Sequence, residues 1–310
     1  MVNRFDSRTC RHAFIIGVYM KYRYLLIILI VIISITFLGA KVVKPKNYSK
    51  AMVNLLASLN YHAKSRNDKF LMIGNGGYNL YHPKAKTKTQ MLNAVNGVII
   101  EDAFTHSDKK AMQSALRCAV KNNKKVFSIE YKSFKGNKDV VSYKAKKNTK
   151  LNKIPKFRNK RYDVENLSDV KNFMVILDPD KYKTKKRYLN ALRNTDYDLI
   201  FVDLYYHDKS LTKADVKSLK VKKNGGKRLV CSYLSVGEAE NYRYYWKSSW
   251  KKKSKRPKWI AKENKHWHGN YKVCYWHSAW QKILYGYLDK IINVGFDGVY
   301  LDVIDAYEYF

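Results

Sequence analysis

The chain has 310 residues and 46% hydrophobic content, room for one large α/β domain or two small ones with a full core. Its formal net charge of +36 suits a polyanionic neighbour such as nucleic acid, anionic lipid or an acidic wall polymer. No DNA- or RNA-binding motif accompanies the lysines, so nucleic acid is not expected as a partner and most of the charge reads as solvated surface.

The first 48 residues read as an extension. Residues 24–38 are almost wholly apolar, with Lys21 and Arg23 before them and Gly39 and Ala40 after. That layout suits a secretory signal or an uncleaved membrane anchor, with the rest of the chain outside the cytoplasm. Met20 is an alternative start.

From 49 to 131 the pattern is α/β. Helical spacing over 49–63 is followed by strand 70–73 and a Gly-rich turn. A short helix at 89–95, strand 98–100, a helix from Ser107 and strand 126–129 follow. Residues 132–165 are rich in Lys and Asn with no sustained period, and read as a linker.

The alternation resumes over 166–310. Strands are expected at 173–177, 199–202, 229–234, 271–275 and 299–301, and helices at 184–193, 212–220 and 278–292. Three strands before the linker and five after it make eight, which suggests a TIM-type (β/α)₈ barrel. Strand 299–301 ends at Asp302, with Asp305 just beyond. Acids at such strand ends are catalytic candidates, although Asp302 also suits the cap of a following turn. Phe310 closes the chain directly after this strand, so a barrel needs its remaining strands from elsewhere.

Three runs carry a family resemblance. They are Ser232-Tyr-Leu-Ser-Val-Gly-Glu-Ala-Glu-Asn-Tyr-Arg-Tyr-Tyr-Trp246, Trp267-His-Gly-Asn-Tyr-Lys-Val-Cys-Tyr-Trp276 and Gly295-Phe-Asp-Gly-Val-Tyr-Leu-Asp302. Together they resemble the polygalactosaminidase-like glycoside hydrolases of family 114. The resemblance implies a (β/α)₈ barrel that hydrolyses α-1,4-linked galactosamine polymers from within. Residues 166–310 resemble the first part of that barrel. Residues 49–131 resemble its closing strands through Ile73-Gly-Asn-Gly76, Gly97-Val-Ile-Ile-Glu-Asp102 and Phe127-Ser-Ile-Glu-Tyr131. The expected architecture is therefore a circular permutant with 132–165 bridging the old termini. A chain cut from a tandem array is the alternative.

Most glycosidases use two carboxylates. The family's Asp and Glu match Asp302 and Glu101, expected as nucleophile or base and as general acid respectively. Asp203, Glu238, Asp305 and Glu130 also lie at or near strand ends and are candidates to hold sugar hydroxyls, or to pair with a cation such as Arg243. Asn75 is a candidate sugar ligand, and Tyr233, Trp246 and Tyr307 are candidate stacking rings. His266 and His268 lack ligand companions, so neither metal nor cofactor is expected. The four cysteines form no zinc pattern or disulfide framework. Cys231 and Cys274 can pair only if their strands are neighbours, and buried thiols are expected instead.

The expected protein is a monomeric glycosidase that binds a polysaccharide, outside the cell or anchored to it. Lys-rich segments 132–161 and 247–258 are expected to meet anionic wall or membrane surfaces. Charge raises one conflict, because deacetylated polygalactosamine is a polycation and so is this chain. An N-acetylated or anionic substrate, or a locally acidic site, resolves it. A non-catalytic wall-binding protein with a degenerate barrel is the competing reading.

Overall fold

A computed structural model describes residues 42–145 and 151–310. The apolar run 24–38 and Cys10 lie outside the described residues. No helix among those described is long and apolar enough to cross a membrane.

The helices are α1 (Tyr48–Lys64), α2 (Lys88–Ala94), α3 (Lys109–Lys121), α4 (Lys185–Arg193), α5 (Lys213–Leu219) and α6 (Ser278–Asn293). Their ends follow from local chemistry. Asn47 caps α1 by accepting from Lys50 N at 2.8 Å, and Thr212 and Asp215 close a reciprocal capping box on α5. Met52, Leu55, Leu56 and Leu59 form the buried stripe of α1.

The strands are β1 (Leu71–Asn75), β2 (Gly97–Glu101), β3 (Lys125–Glu130), β4 (Val141–Lys144), β5 (Phe173–Ile176), β6 (Leu199–Val202), β7 (Tyr205–Tyr206), β8 (Lys209–Ser210), β9 (Leu229–Ser235), β10 (Glu238–Glu240), β11 (Ile260–Glu263), β12 (Asn270–Val273) and β13 (Gly298–Asp302). Eight form one sheet in the order β4-β3-β2-β1-β13-β9-β6-β5. Every pairing in it is parallel. Only the β4–β5 edge lacks a hydrogen-bonded pairing, so the ring is a nearly closed barrel of TIM type.

Both stretches of chain, 49–131 and 166–310, supply strands to this single sheet. β13 pairs with β1 from Leu71 opposite Gly298 to Gly74 opposite Leu301. Phe310 stacks on Tyr48 at 5.8 Å, and Tyr275 donates to the Tyr48 carbonyl at 2.8 Å. Inside the ring, Phe127, Phe173, Phe201, Tyr300 and Tyr233 form an aromatic chain with centroid spacings of 5.1 to 6.1 Å. Tyr143 of β4 meets Phe173 of β5 at 5.7 Å, so side chains bridge the seam that the backbone leaves unpaired.

The strand assignment differs from expectation at two places. The eighth barrel strand is β4, inside the Lys/Asn-rich stretch, and not 271–275. β4 has only four residues, and Tyr143 is its one buried side chain, so no apolar run marks it. Residues 270–273 form the middle of a separate antiparallel sheet, β10-β12-β11, with alternating burial. The described part of the expected linker from residue 151 on is also fastened. Phe157 stacks on Tyr197 at 4.5 Å, and Tyr162 donates to Asp198 at 2.6 Å. Cys118, Cys231 and Cys274 are buried free thiols.

Candidate active site

A cavity of about 560 Å³ opens at the C-terminal ends of the barrel strands. β1, β2 and β13 end at Asn75, Glu101 and Asp302, and all three side chains line it. The Asn75 amide donates to Asp302 Oδ1 at 2.8 Å and to Glu101 Oε1 at 3.2 Å. These two oxygens can be no farther apart than the two bonds laid end to end, about 6 Å. Tyr131, just past β3, donates to the other Glu101 oxygen at 2.6 Å.

The backbone turns sharply after both acids. Asp102 has φ 52° and Val303 has φ 59°, the left-handed region that a β-branched residue rarely adopts. Such strain costs on the order of 1–3 kcal/mol and persists only where the surroundings impose it. Part of the cause is next door: a Cβ on Gly237 would lie 2.4 Å from the Val303 carbonyl, so only glycine fits against that turn. Gly76, with φ 82°, makes the turn that follows Asn75.

Burial pushes the Asp302 carboxyl up to about 7. The Asn75 bond opposes that rise and the nearby Glu101 charge adds to it. Burial also raises Tyr131, and Glu101 adds to that, so Tyr131 stays a neutral donor. Asp305 is pushed up to about 6 by burial and then by the Glu308 charge.

Arg243 stands on another part of the wall, buried between two acids. It binds Asp203 in a bidentate pair at 2.8 and 2.6 Å and Glu240 through Nε at 2.6 Å. Burial works against its charge, but Asp203 and Glu240 hold the guanidinium protonated. Glu238 accepts from Asn264 at 2.8 Å and from Tyr309 at 3.0 Å. Among the described residues neither Glu238, Asp305 nor Glu308 has an ion pair. In all, Glu101, Asp178, Asp203, Glu238, Glu240, Asp302, Asp305 and Glu308 line the cavity against one guanidinium, with His268 at the rim.

The structure gathers Asp302, Glu101, Asp203, Tyr233, Glu238, Arg243, Asn75 and Asp305 around this cavity. Glu130, Tyr307 and Trp246 do not line it. The Glu130 carboxylate faces the loop after β2, accepting from Thr105 at 3.2 Å and Phe104 N at 3.3 Å. Tyr307 sits on the tight helical turn 306–309, where residues three apart share a face. Ala306 is buried, and Tyr309, three residues on, takes the cavity position. Trp246 packs on Trp250 and Tyr271 instead. His268 pairs with Glu263 at 2.9 Å, and no cluster of metal-ligand type occurs among the described residues.

Sequence reasoning missed Tyr131, Glu240, Tyr242, Asn264 and Tyr309. Tyr131 was legible as the residue just past an apolar strand, and Glu240 as an acid three positions before Arg243. Asn264 and Tyr309 have no such mark.

Residues 168–309 match the glycoside-hydrolase family GH114. An uncharacterized protein of Methanocaldococcus jannaschii is 38% identical over 157 residues, 50% of this chain and 44% of its own length. One from Deinococcus radiodurans is 41% identical over 120 residues, 39% and 37% of the two chains. One from Thermotoga maritima is 47% identical over 78 residues, 25% and 24%. The chain thus spans less than half the length of the curated relatives it matches. Among solved structures, Aspergillus fumigatus Ega3 in complex with galactosamine aligns at 22% identity and TM-score 0.31, covering 44% of this chain and 45% of that one. The glycoside hydrolase domain of PelA from Pseudomonas aeruginosa aligns at 18% and TM-score 0.30, with coverage of 44% and 45%. The matched stretch 168–309, just under half of the chain, holds Asp302, Asp203 and Arg243 but neither Asn75 nor Glu101, and it is similar to glycoside hydrolase family 114.

Proposed function

We propose that the chain is a glycosidase that cleaves α-1,4-linked galactosamine-type polymers, with Asp302 and Glu101 as its carboxylate pair. One observation carries this reading: the Asn75 amide bonds both acids at once, at the barrel mouth. Retaining glycosidases hold their two carboxyls about 5–5.5 Å apart and inverting ones about 6.5–9.5 Å. An oxygen separation of at most about 6 Å supports retention. The cavity's excess of carboxylates supports a cationic amino sugar, and it removes the conflict with the chain's overall charge.

In this reading Asp302 is the nucleophile or base and Glu101 the general acid. A substrate ammonium beside Asp302 would favour its ionised form and ready it for attack. The reverse assignment is favoured by the two donors on Glu101, which suit a carboxylate, and by the raised Asp302. Reducing-end release from deacetylated polygalactosamine tests the activity, and none at all would favour a wall-binding protein with a degenerate barrel. Aryl glycosides with good leaving groups then separate the roles. Removing the acid spares their first step, whereas removing the nucleophile abolishes it.

We also infer that the chain is a circular permutant of the family barrel. The support is that β13, inside the family match over 168–309, pairs with β1, while β1–β4 from outside that match complete the ring. A protein that begins near Glu165, joins Phe310 to Tyr48 by a short Gly/Ser linker and ends after β4 is expected to fold. Insolubility of that protein beside a soluble native-order one counts against permutation. The apolar run 24–38 with Lys21 and Arg23 supports an extracytoplasmic location. Protease added to intact cells is expected to degrade the barrel, and full protection until lysis would reject that location.

A further inference from the structure

The connection from β10 to β11, with the hairpin after it, carries a basic surface that the cavity chemistry does not use. Between Lys247 and Lys265 there are nine Lys or Arg and one carboxylate, Glu263. Lys251, Lys252, Lys253, Lys255, Lys262 and Lys265 are exposed and form no ion pair among the described residues. Glu263 is itself taken by His268.

This lobe is a built surface. Trp246, Trp250, Trp259 and Trp280 follow one another at 5.4, 5.6 and 5.6 Å. Trp280, fully buried on α6, donates to the Val236 carbonyl at 2.8 Å. Arg256 donates to the Trp250 carbonyl at 3.1 Å and lies 4.5 Å from the Tyr271 ring centre. The lysines therefore project from an ordered frame, and a partner need not pay to order the backbone under them.

The lobe also adjoins the place where the compact unit Lys44–Phe310 begins. Cys274 N donates to the Trp259 carbonyl at 2.8 Å. Burial pushes the Cys274 thiol up to about 11, with the Lys44 charge pulling against it, so Lys44 lies close by. In sequence Lys44 follows the apolar run 24–38 closely, with Lys41 and Lys46 on either side. Trp267 of the hairpin, at the cavity rim, is an exposed ring of the lobe, and Phe310 is a second exposed ring, in the cluster with Tyr48 and Trp276. Unpaired lysines beside exposed aromatic rings, close after an apolar run, are the chemistry of a headgroup layer.

We propose that the 247–265 lobe is a docking surface for an anionic bilayer, with Lys251, Lys252, Lys253 and Lys255 meeting lipid phosphates. Asn264 of the hairpin lines the cavity, so docking holds the cavity mouth beside the lipid surface. The proposal does not depend on the glycosidase reading.

The test uses the full chain in lipid nanodiscs, either neutral phosphatidylcholine alone or with anionic phosphatidylglycerol added. Amide exchange over 247–265 is expected to slow on the anionic discs by at least about fivefold, the worth of one lysine near an anionic surface. High salt is expected to reverse it. Joint replacement Lys251→Ser, Lys252→Ser, Lys253→Ser and Lys255→Ser is expected to abolish the slowing, with unchanged exchange in β9 and β13 reporting an intact barrel. Equal exchange on the two kinds of disc overturns the proposal. So does slowing by a soluble polyuronate or nucleic acid but not by anionic lipid.

Discussion

The cavity wall and the 247–265 lobe meet at the β11–β12 hairpin, yet their charges are opposite. Eight carboxylates against one guanidinium line the first, and nine cations against one carboxylate cover the second. The two also hold charge differently. In the cavity, Asn75, Tyr131, Tyr309 and Arg243 hold acids in fixed positions, whereas the lysines of the lobe stand in solvent. Fixed and partly desolvated charge acts strongly at short range, and exposed charge is screened beyond about 8 Å at physiological ionic strength. A net charge of +36 thus says little about the field a ligand meets inside the barrel.

The contrast breaks most severely at the paired acids. Asp302→Asn and Glu101→Gln are each expected to lower turnover by on the order of a thousandfold or more, because the pair acts as a unit. Reducing-end release measures this, with a thermal melt to show that folding survives. Turnover near that of the parent in either variant would remove that residue from the mechanism.

Next in size is Arg243→Met, which leaves Asp203 and Glu240 buried without their cation. A loss of about 3–5 kcal/mol is expected, since stranding a buried charge costs more than the intact pair contributes. Urea unfolding reads it, and a change within 1 kcal/mol (about the worth of an exposed pair) would show that water reaches the pair.

The pH dependence sharpens the comparison from the acidic side. Asp302 ionises near pH ~3.9 when unfolded but is raised to about 7 when folded. Between these values the folded protein holds a proton that the unfolded chain has released. Stability is therefore full at low pH and falls as pH rises through about 7, with Asp305, raised to about 6, adding to the fall. Asp302 stays partly open to the cavity, so the expected loss is only about 1–2 kcal/mol. Asp302→Asn is expected to flatten the curve and to stabilise the protein at neutral pH. An unchanged slope between pH 5 and 8 would contradict the raised value.

Salt has the smallest effect. Binding of a cationic galactosamine oligomer is expected to weaken by roughly twofold to fivefold from low to physiological salt. Calorimetry measures it, and tighter binding in salt would mean that the basic exterior governs what reaches the cavity.

Seven of the eight barrel strands were legible as short apolar runs, because parallel strands buried on both faces need no polar side. Glu101 and Asp302 interrupt such runs and so were legible as strand-end acids, but it was the family resemblance that singled them out from Asp203 and Glu130. Three features were decided only in space. β4 hides among lysines because a single side chain, Tyr143, anchors it inward at the seam. Glu130 was a strand-end candidate and Tyr131 beside it was not, but successive side chains point opposite ways. One therefore faces Thr105 and the other Glu101. The Asn75 bridge joins residues from three strands, two of them at opposite ends of the chain. No sequence period encodes it, because closing the barrel between β13 and β1 is what brings those strand ends together.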